Sequence, residues 1–220
     1  MGFKIRVFGP RALFSRPELK SERYSYDVIT PSAARGIIES IYWHEGLTYY
    51  IDEIKVLNPV ERLSVRRNEV KSKLNSKAVK DLVTGKRNDL SLNTGDSENR
   101  TQRNSSILKN VDYIISGHFE MTDKANPSDN PGKFIDILKR RARKGQCFKQ
   151  PYLGCREFPA YFELVEDDSE FHSYYENTDL VDLGIMLYDL DYSADNVTPL
   201  FYHCEMKNGI INVSGSEVLC

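Results

Sequence analysis

Apolar and polar positions alternate along Phe3-Lys-Ile-Arg-Val-Phe and stop at Gly9, the period-two pattern of a half-buried strand. Residues 10–30 are polar, basic and aromatic, and read as a loop. Thr30-Pro31 then opens a helix, with Thr as cap and Pro at the first helical position. Ala34, Ile37, Ile38, Ile41 and Tyr42 recur at helical spacing, which predicts a helix over residues 31–43. Tyr49-Tyr-Ile-Asp-Glu-Ile-Lys-Val-Leu, rich in β formers, reads as a second strand, stopped by Asn58-Pro59.

Residues 60–105 carry few large apolar side chains. A basic helix is expected within 69–83 and a mobile stretch over 84–105, an insert too long for an ordinary connection. Val111-Asp-Tyr-Ile-Ile-Ser-Gly-His-Phe-Glu-Met is a third strand. Asn130-Pro131 starts a second helix with Phe134, Ile135, Leu138 and Ala142 as its buried stripe, ending near Gly145. Ala160-Tyr-Phe-Glu-Leu-Val is a fourth strand. The order β-α-β-(insert)-β-α-β predicts an α+β, ferredoxin-like (RRM-like) domain over residues 1–165, with two helices on one face of an antiparallel sheet. RNA-recognition domains use the open face of such a sheet as a platform. Residues 166–220 read as a small antiparallel β appendage, with a hairpin turn at Lys207-Asn208-Gly209.

At 220 residues, 40% hydrophobic and 28% charged, the chain has the composition of a globular protein. No apolar run approaches the roughly 20 residues of a spanning helix, and the first residues hold no signal-peptide core. A cytoplasmic protein without a membrane partner is expected. The net charge is −2, from 30 Lys and Arg against 32 Asp and Glu. That total conceals segregation. Residues 60–110 hold twelve cations against six anions, and 133–149 seven against one. Residues 163–196 hold eleven anions and no Lys or Arg. Such asymmetry points to a polyanion partner. The alternative is two solvated faces that pair with each other.

Cys147, Cys155, Cys204 and Cys220 form no Cys-x-x-Cys pair, and free thiols are expected. No dinucleotide, P-loop or nucleophile-elbow motif occurs. His118-Phe-Glu lacks the Pro-Cys-x-x-Cys partner of zinc deaminases, and no metal site is expected.

The candidate chemistry is basic and aromatic. Lys133 falls in the first turn of the second helix, where a cation opposes the helix dipole but, beside free N–H groups, suits an anion such as phosphate. The bland alternative is an exposed lysine tolerated at small cost. Lys139, Arg140, Arg141, Arg143 and Lys144 follow on the face away from the apolar stripe and suit backbone phosphates. Arg11, Phe14, Arg16, Lys20, Arg23, Tyr24 and Tyr26 interleave cations with aromatics, and Arg62, Arg66 and Arg67 extend the basic surface. Tyr42, at the end of the first stripe, is either a core tyrosine or a site residue. Trp43 and His44 follow; adjacent helical positions do not share a face, so Tyr42 and His44 need not converge.

Together, Tyr26-Asp-Val-Ile-Thr-Pro-Ser-Ala-Ala-Arg-Gly-Ile-Ile-Glu-Ser-Ile-Tyr-Trp, Gly9-Pro-Arg-Ala-Leu-Phe-Ser-Arg-Pro, Arg66-Arg-Asn-Glu, Pro131-Gly-Lys and Gly145-Gln-Cys-Phe-Lys-Gln-Pro-Tyr-Leu-Gly-Cys-Arg-Glu-Phe carry a resemblance. Over residues 3–213 the chain resembles the fifth Cas family, subtype I-C, of the RAMP superfamily. The resemblance implies a ferredoxin-like domain with a smaller β part. It also implies a metal-independent, cofactor-free endoribonuclease that cuts precursor CRISPR RNA at its repeat hairpin. Attack by the 2′-OH leaves a 2′,3′-cyclic phosphate, and the protein stays on the 5′ handle within the interference complex. The implied catalytic set is a tyrosine ending the first helix and a Lys-His pair opening the second. Tyr42 and Lys133 match; Phe134 stands where the histidine would be, with His44 as the substitute proton carrier and His118 a weaker one. Two other readings remain: a non-catalytic RNA-binding scaffold, and a duplex-DNA-binding subunit of the same complex.

Overall fold

A computed structural model describes residues 2–19, 22–192 and 196–219. Strands β1 (Gly2–Ala12), β3 (Leu47–Val56), β5 (Arg100–Met121), β6 (Tyr161–Leu164) and β9 (Ile210–Asn212) lie side by side in the order β6-β1-β5-β3-β9. Every neighbouring pair in that series is antiparallel. Helix α1 (Pro31–Ile41) connects β1 to β3, and α3 (Pro131–Arg143) connects β5 to β6. The second helix of the chain, α2 (Ser76–Val83), lies in the insert.

Alternation along β1 decides which face is buried. Phe3, Ile5 and Val7 point to the helices and join Ala34, Ile37, Ile38, Ile41, Phe134, Leu138 and Ala142 in one apolar cluster. The opposite face carries Lys4 and Arg6. Arg6 grips the buried Asp112 at 2.9 and 2.6 Å and Glu163 at 2.7 Å, and Lys4 meets Asp168 at 2.5 Å. Leu57, Ile114, Val165 and Phe171 pack on that face as well. The face expected as an open RNA platform is therefore partly covered and lined with carboxylates, which repel phosphate.

The insert departs most from its expected form. Residues 61–70 form β4 (Glu61–Val70), which pairs with 100–109 of β5, and β2 (Arg23–Tyr24) pairs with the same half of β5. Strand β4 has only Leu63, Val65 and Val70 as apolar residues, too few to show the alternation that reveals a strand. The end of the stretch expected to be mobile, residues 100–105, is ordered as β5. In the loop 10–30, β2 is likewise a strand that composition alone does not show.

Beyond residue 166, β7 (Val181–Asp191), β8 (Thr198–Met206) and β10 (Val218–Leu219) form a second sheet in the order β10-β8-β7. Asn208 and Gly209, at φ 51° and 80°, make the expected turn into β9. A Cβ on Gly209 would also meet the Ser173 hydroxyl at 2.0 Å. Met186, Tyr202, Cys204 and Met206 belong to the same buried cluster as β1, so no solvent layer separates the two sheets. The acidic stretch is joined to the basic body by Lys4–Asp168, Arg6–Glu163, Arg35–Asp189 and Arg143–Glu166. Part of the segregated charge is thus paired between the two stretches. Cys147, Cys155 and Cys204 are free thiols, and Cys220 lies outside the described residues.

Candidate nucleic-acid site

The site forms where the end of α1 crosses α3. Thr30 Oγ1 caps α1 by accepting from the Ala33 N–H at 3.2 Å. The helix stops at Ile41, and Tyr42 is extended at φ −144°. Its last carbonyls, which lack intrahelical donors, are taken by another segment. Phe148 N–H donates to Ser40 O at 2.9 Å, Lys149 N–H to Ser40 O at 3.0 Å, and Arg141 Nη1 to Ile41 O at 2.9 Å. A guanidinium at a helix C-terminus also complements the dipole.

Tyr42 is 8% exposed. Its ring centroid lies 6.2 Å from that of Phe134, with the Arg141 guanidinium 5.0 Å over it. Burial raises the Tyr42 hydroxyl above its ordinary value of 10.0, against the pull of Arg141. The hydroxyl is therefore protonated at neutral pH and suited to donate or position rather than to act as a base.

His44 also packs on Phe134, ring centroids 4.8 Å apart. Its Nδ1 accepts from the Gly46 N–H at 3.0 Å. That contact assigns the proton of a neutral ring to Nε2, which is then a donor. A Cβ on Gly46 would stand 2.8 Å from the Ala125 backbone, so only glycine fits. The 44–47 turn is further tied to the 122–125 turn, with Thr122 N–H donating to Gly46 O at 3.0 Å. No sequence motif marks Gly46 as the residue that orients His44.

Lys133 follows from the α3 cap. Asn130 Oδ1 accepts from the Gly132 N–H at 2.8 Å, Asn130 O accepts from the Phe134 N–H, and Pro131 has no N–H. Lys133 is exposed and, among the described residues, carries no ion pair. Phe134 is 2% exposed, with its ring against both Tyr42 and His44. Tyr42, His44 and the Lys133–Phe134 step are thus together. His118 is not: its Nδ1 lies 2.9 Å from the Asp52 carboxylate and its ring stacks on Tyr50, on β5 and β3.

The basic residues divide into engaged and free. Arg16 meets Glu18 and Asp27, Arg23 meets Glu69 and Glu157, Arg67 bonds Glu157, and Arg143 meets Glu166. Arg62 binds Asp27 and lies 4.4 Å over Tyr24. Among the described residues, Arg11, Lys139, Arg140 and Lys144 have no ion pair, and Arg66 reaches only Asn104 at 3.5 Å. Lys20 lies outside the described residues.

Residues 2–214 match the family model described as CRISPR-associated protein (Cas_Cas5). The chain belongs to the Cas5 family, in its Cas5d, type I-C branch. It is 44% identical to the "CRISPR pre-crRNA endoribonuclease Cas5d" of Mannheimia succiniciproducens, covering 96% of this chain and 93% of that one. It is 35% identical to the protein of the same name from Thermus thermophilus, over 97% and 92% of the two chains. A solved structure titled "Crystal Structure of CRISPR-associated Protein" superposes with a TM-score of 0.71 at 27% identity, over 100% of this chain and 97% of the other. Among the described residues, no helix is long and apolar enough to cross a membrane.

Proposed function

We propose that the chain is a metal-independent endoribonuclease that cuts CRISPR precursor RNA at its repeat hairpin and keeps the 5′ handle as a subunit of the type I-C interference complex. The observation that carries this is the convergence of Tyr42, His44 and the Lys133–Phe134 step at one crossing of α1 and α3. In the reaction O2′ bonds to phosphorus, the P–O5′ bond breaks, and the 2′-OH proton ends on O5′. Lys133 offsets the charge that builds on the phosphorane, and electrostatic stabilisation of this kind usually contributes most to such catalysis. The protonated Tyr42 hydroxyl orients the 2′-OH or the phosphate. The His44 Nε2–H donates to a phosphate oxygen, because its Nδ1 is already occupied by Gly46.

The strand order β6-β1-β5-β3, antiparallel throughout, with α1 and α3 as the connections, supports the ferredoxin-like reading of residues 1–165. The acidic part, 166–220, is read as an appendage fixed to that body through β9 and the ion pairs Lys4–Asp168, Arg35–Asp189 and Arg143–Glu166. Free thiols fit a cytoplasmic site of action.

Incubating the protein with its cognate repeat RNA in EDTA tests the enzyme reading. The expected products are a 2′,3′-cyclic phosphate end and a 5′-OH fragment. Buried Phe134 favours a second reading, a scaffold that binds RNA without cutting; binding with no cut product decides for it. Comparable affinity for unrelated duplex DNA decides for a DNA-binding subunit. His44→Asn retains an acceptor for Gly46 but removes Nε2–H, and a loss of about 10²-fold in rate is expected; wild-type cleavage would remove His44 from the site.

A further inference from the structure

Trp43 and Phe148 are 55% and 57% exposed, yet both are held in place. Trp43 follows Tyr42 directly, and the N–H of Phe148 is fixed to the end of α1. Their rings lie 6.5 Å apart and 23° from parallel, with Lys149 Nζ 5.5 Å from the centre of Phe148. A cavity of about 420 Å³ opens here, lined by Gly36, Glu39, Ser40, Trp43, Phe148 and Lys149. Its lining combines π-faces, a cation and a carboxylate. Glu39 stands 3.9 Å from Arg35, too far for a hydrogen bond, so its oxygens retain acceptor capacity. A Cβ on Gly36 would meet nothing within 4 Å, and helix propensity alone favours alanine there. Neither packing nor a left-handed backbone requires the glycine, which lines the cavity.

We propose that this cavity binds one unpaired nucleobase of the RNA next to the cleavage site, stacked against Trp43 and Phe148, with its phosphate facing Lys149 and guanine selected by Glu39. Exposed aromatics beside a cation are the recurrent means of holding single-stranded bases. A carboxylate accepts from the adjacent ring N–H and exocyclic amine that guanine presents, whereas uracil presents one N–H between two carbonyls. The proposal rests on the RNA reading of the neighbouring site.

The chain has a single tryptophan, so its emission reports Trp43 alone. The full chain is titrated with two fluorescein-labelled six-nucleotide RNAs, adenosines with one central guanosine or one central uridine, while anisotropy follows binding independently. Expected are saturable quenching, tighter binding of the guanosine RNA, and loss of that preference in Glu39→Gln. Phe148→Ala weakens binding about 5- to 100-fold, and Phe148→Tyr restores it. Binding by anisotropy with Trp43 emission unmoved and Phe148→Ala at wild-type affinity overturns the base site. Cutting of the repeat hairpin by the same preparation then leaves the nuclease standing. Quenching without preference overturns the role of Glu39. Failure to bind or cut the hairpin at all overturns the RNA reading and the base site with it.

Discussion

Helices α2 and α3 share their local signals and differ in what they do. Both are capped by an asparagine side chain, Asn75 accepting from the Lys77 N–H at 2.9 Å and Asn130 from the Gly132 N–H at 2.8 Å. Both are rich in cations. Yet α3 buries Phe134, Ile135, Leu138 and Ala142, whereas α2 buries nothing and leaves Val79, Leu82 and Val83 exposed. A capped basic helix is therefore insufficient to define a site. Packing across the end of α1 sets Tyr42 and His44 against Phe134, next to Lys133, and among the described residues α2 has no such counterpart.

That contrast is breakable in graded steps. Leu138 is fully buried, so Leu138→Ala is expected to cost about 2–5 kcal/mol. Leu82→Ala on α2 should stay within about 0.5 kcal/mol, with urea unfolding as the measurement. Lys133→Ala should lower single-turnover cleavage of repeat RNA about 10²- to 10³-fold, while Lys77→Ala in the first turn of α2 leaves the rate unchanged. Equal losses from both would spread the function over basic charge in general. Removing the caps is a smaller change. Asn130→Ala should lower global stability by about 1 kcal/mol. Asn75→Ala should act only on α2, seen as faster local amide exchange without a shift in the global midpoint.

The smallest effect at ordinary pH comes from buried tyrosines. Burial raises Tyr42, Tyr49, Tyr113 and Tyr202 above the ordinary 10.0. A raised folded value means the stabilisation is fully present below pH 10 and is lost as pH rises beyond it, where the unfolded chain ionises first. The unfolding midpoint should be flat from these groups up to about pH 10 and fall above it, less steeply in Tyr49→Phe.

Much of the core was legible in the chain. The stripe from Ala34 to Ile41 and that from Phe134 to Ala142 are helices, because burying one face demands helical spacing. Thr30-Pro31 and Asn130-Pro131 cap them as local chemistry requires. Strand β4 was not legible, since it carries few apolar residues and its ladder to 100–109 is non-local. Lys133 and Tyr42 stood out, and so did Arg141, though as a phosphate-facing cation and not as the group that caps Ile41 O and covers Tyr42; Gly46, whose N–H orients His44, carried no motif.

The charge segregation followed the same division. Composition along the chain determined where cations and anions are concentrated, because that is a property of covalent order. Only the tertiary structure decided which of them cancel. Arg6, Arg35 and Arg143 meet carboxylates of the acidic stretch, while Lys133, Arg140 and Lys144 remain without ion pairs among the described residues. Pairing depends on side-chain distances of a few ångströms between segments far apart in the chain, 157 residues for Arg6–Glu163 and 154 for Arg35–Asp189. Local patterns determine helices and strands; those distances exist only once the sheet order has been set.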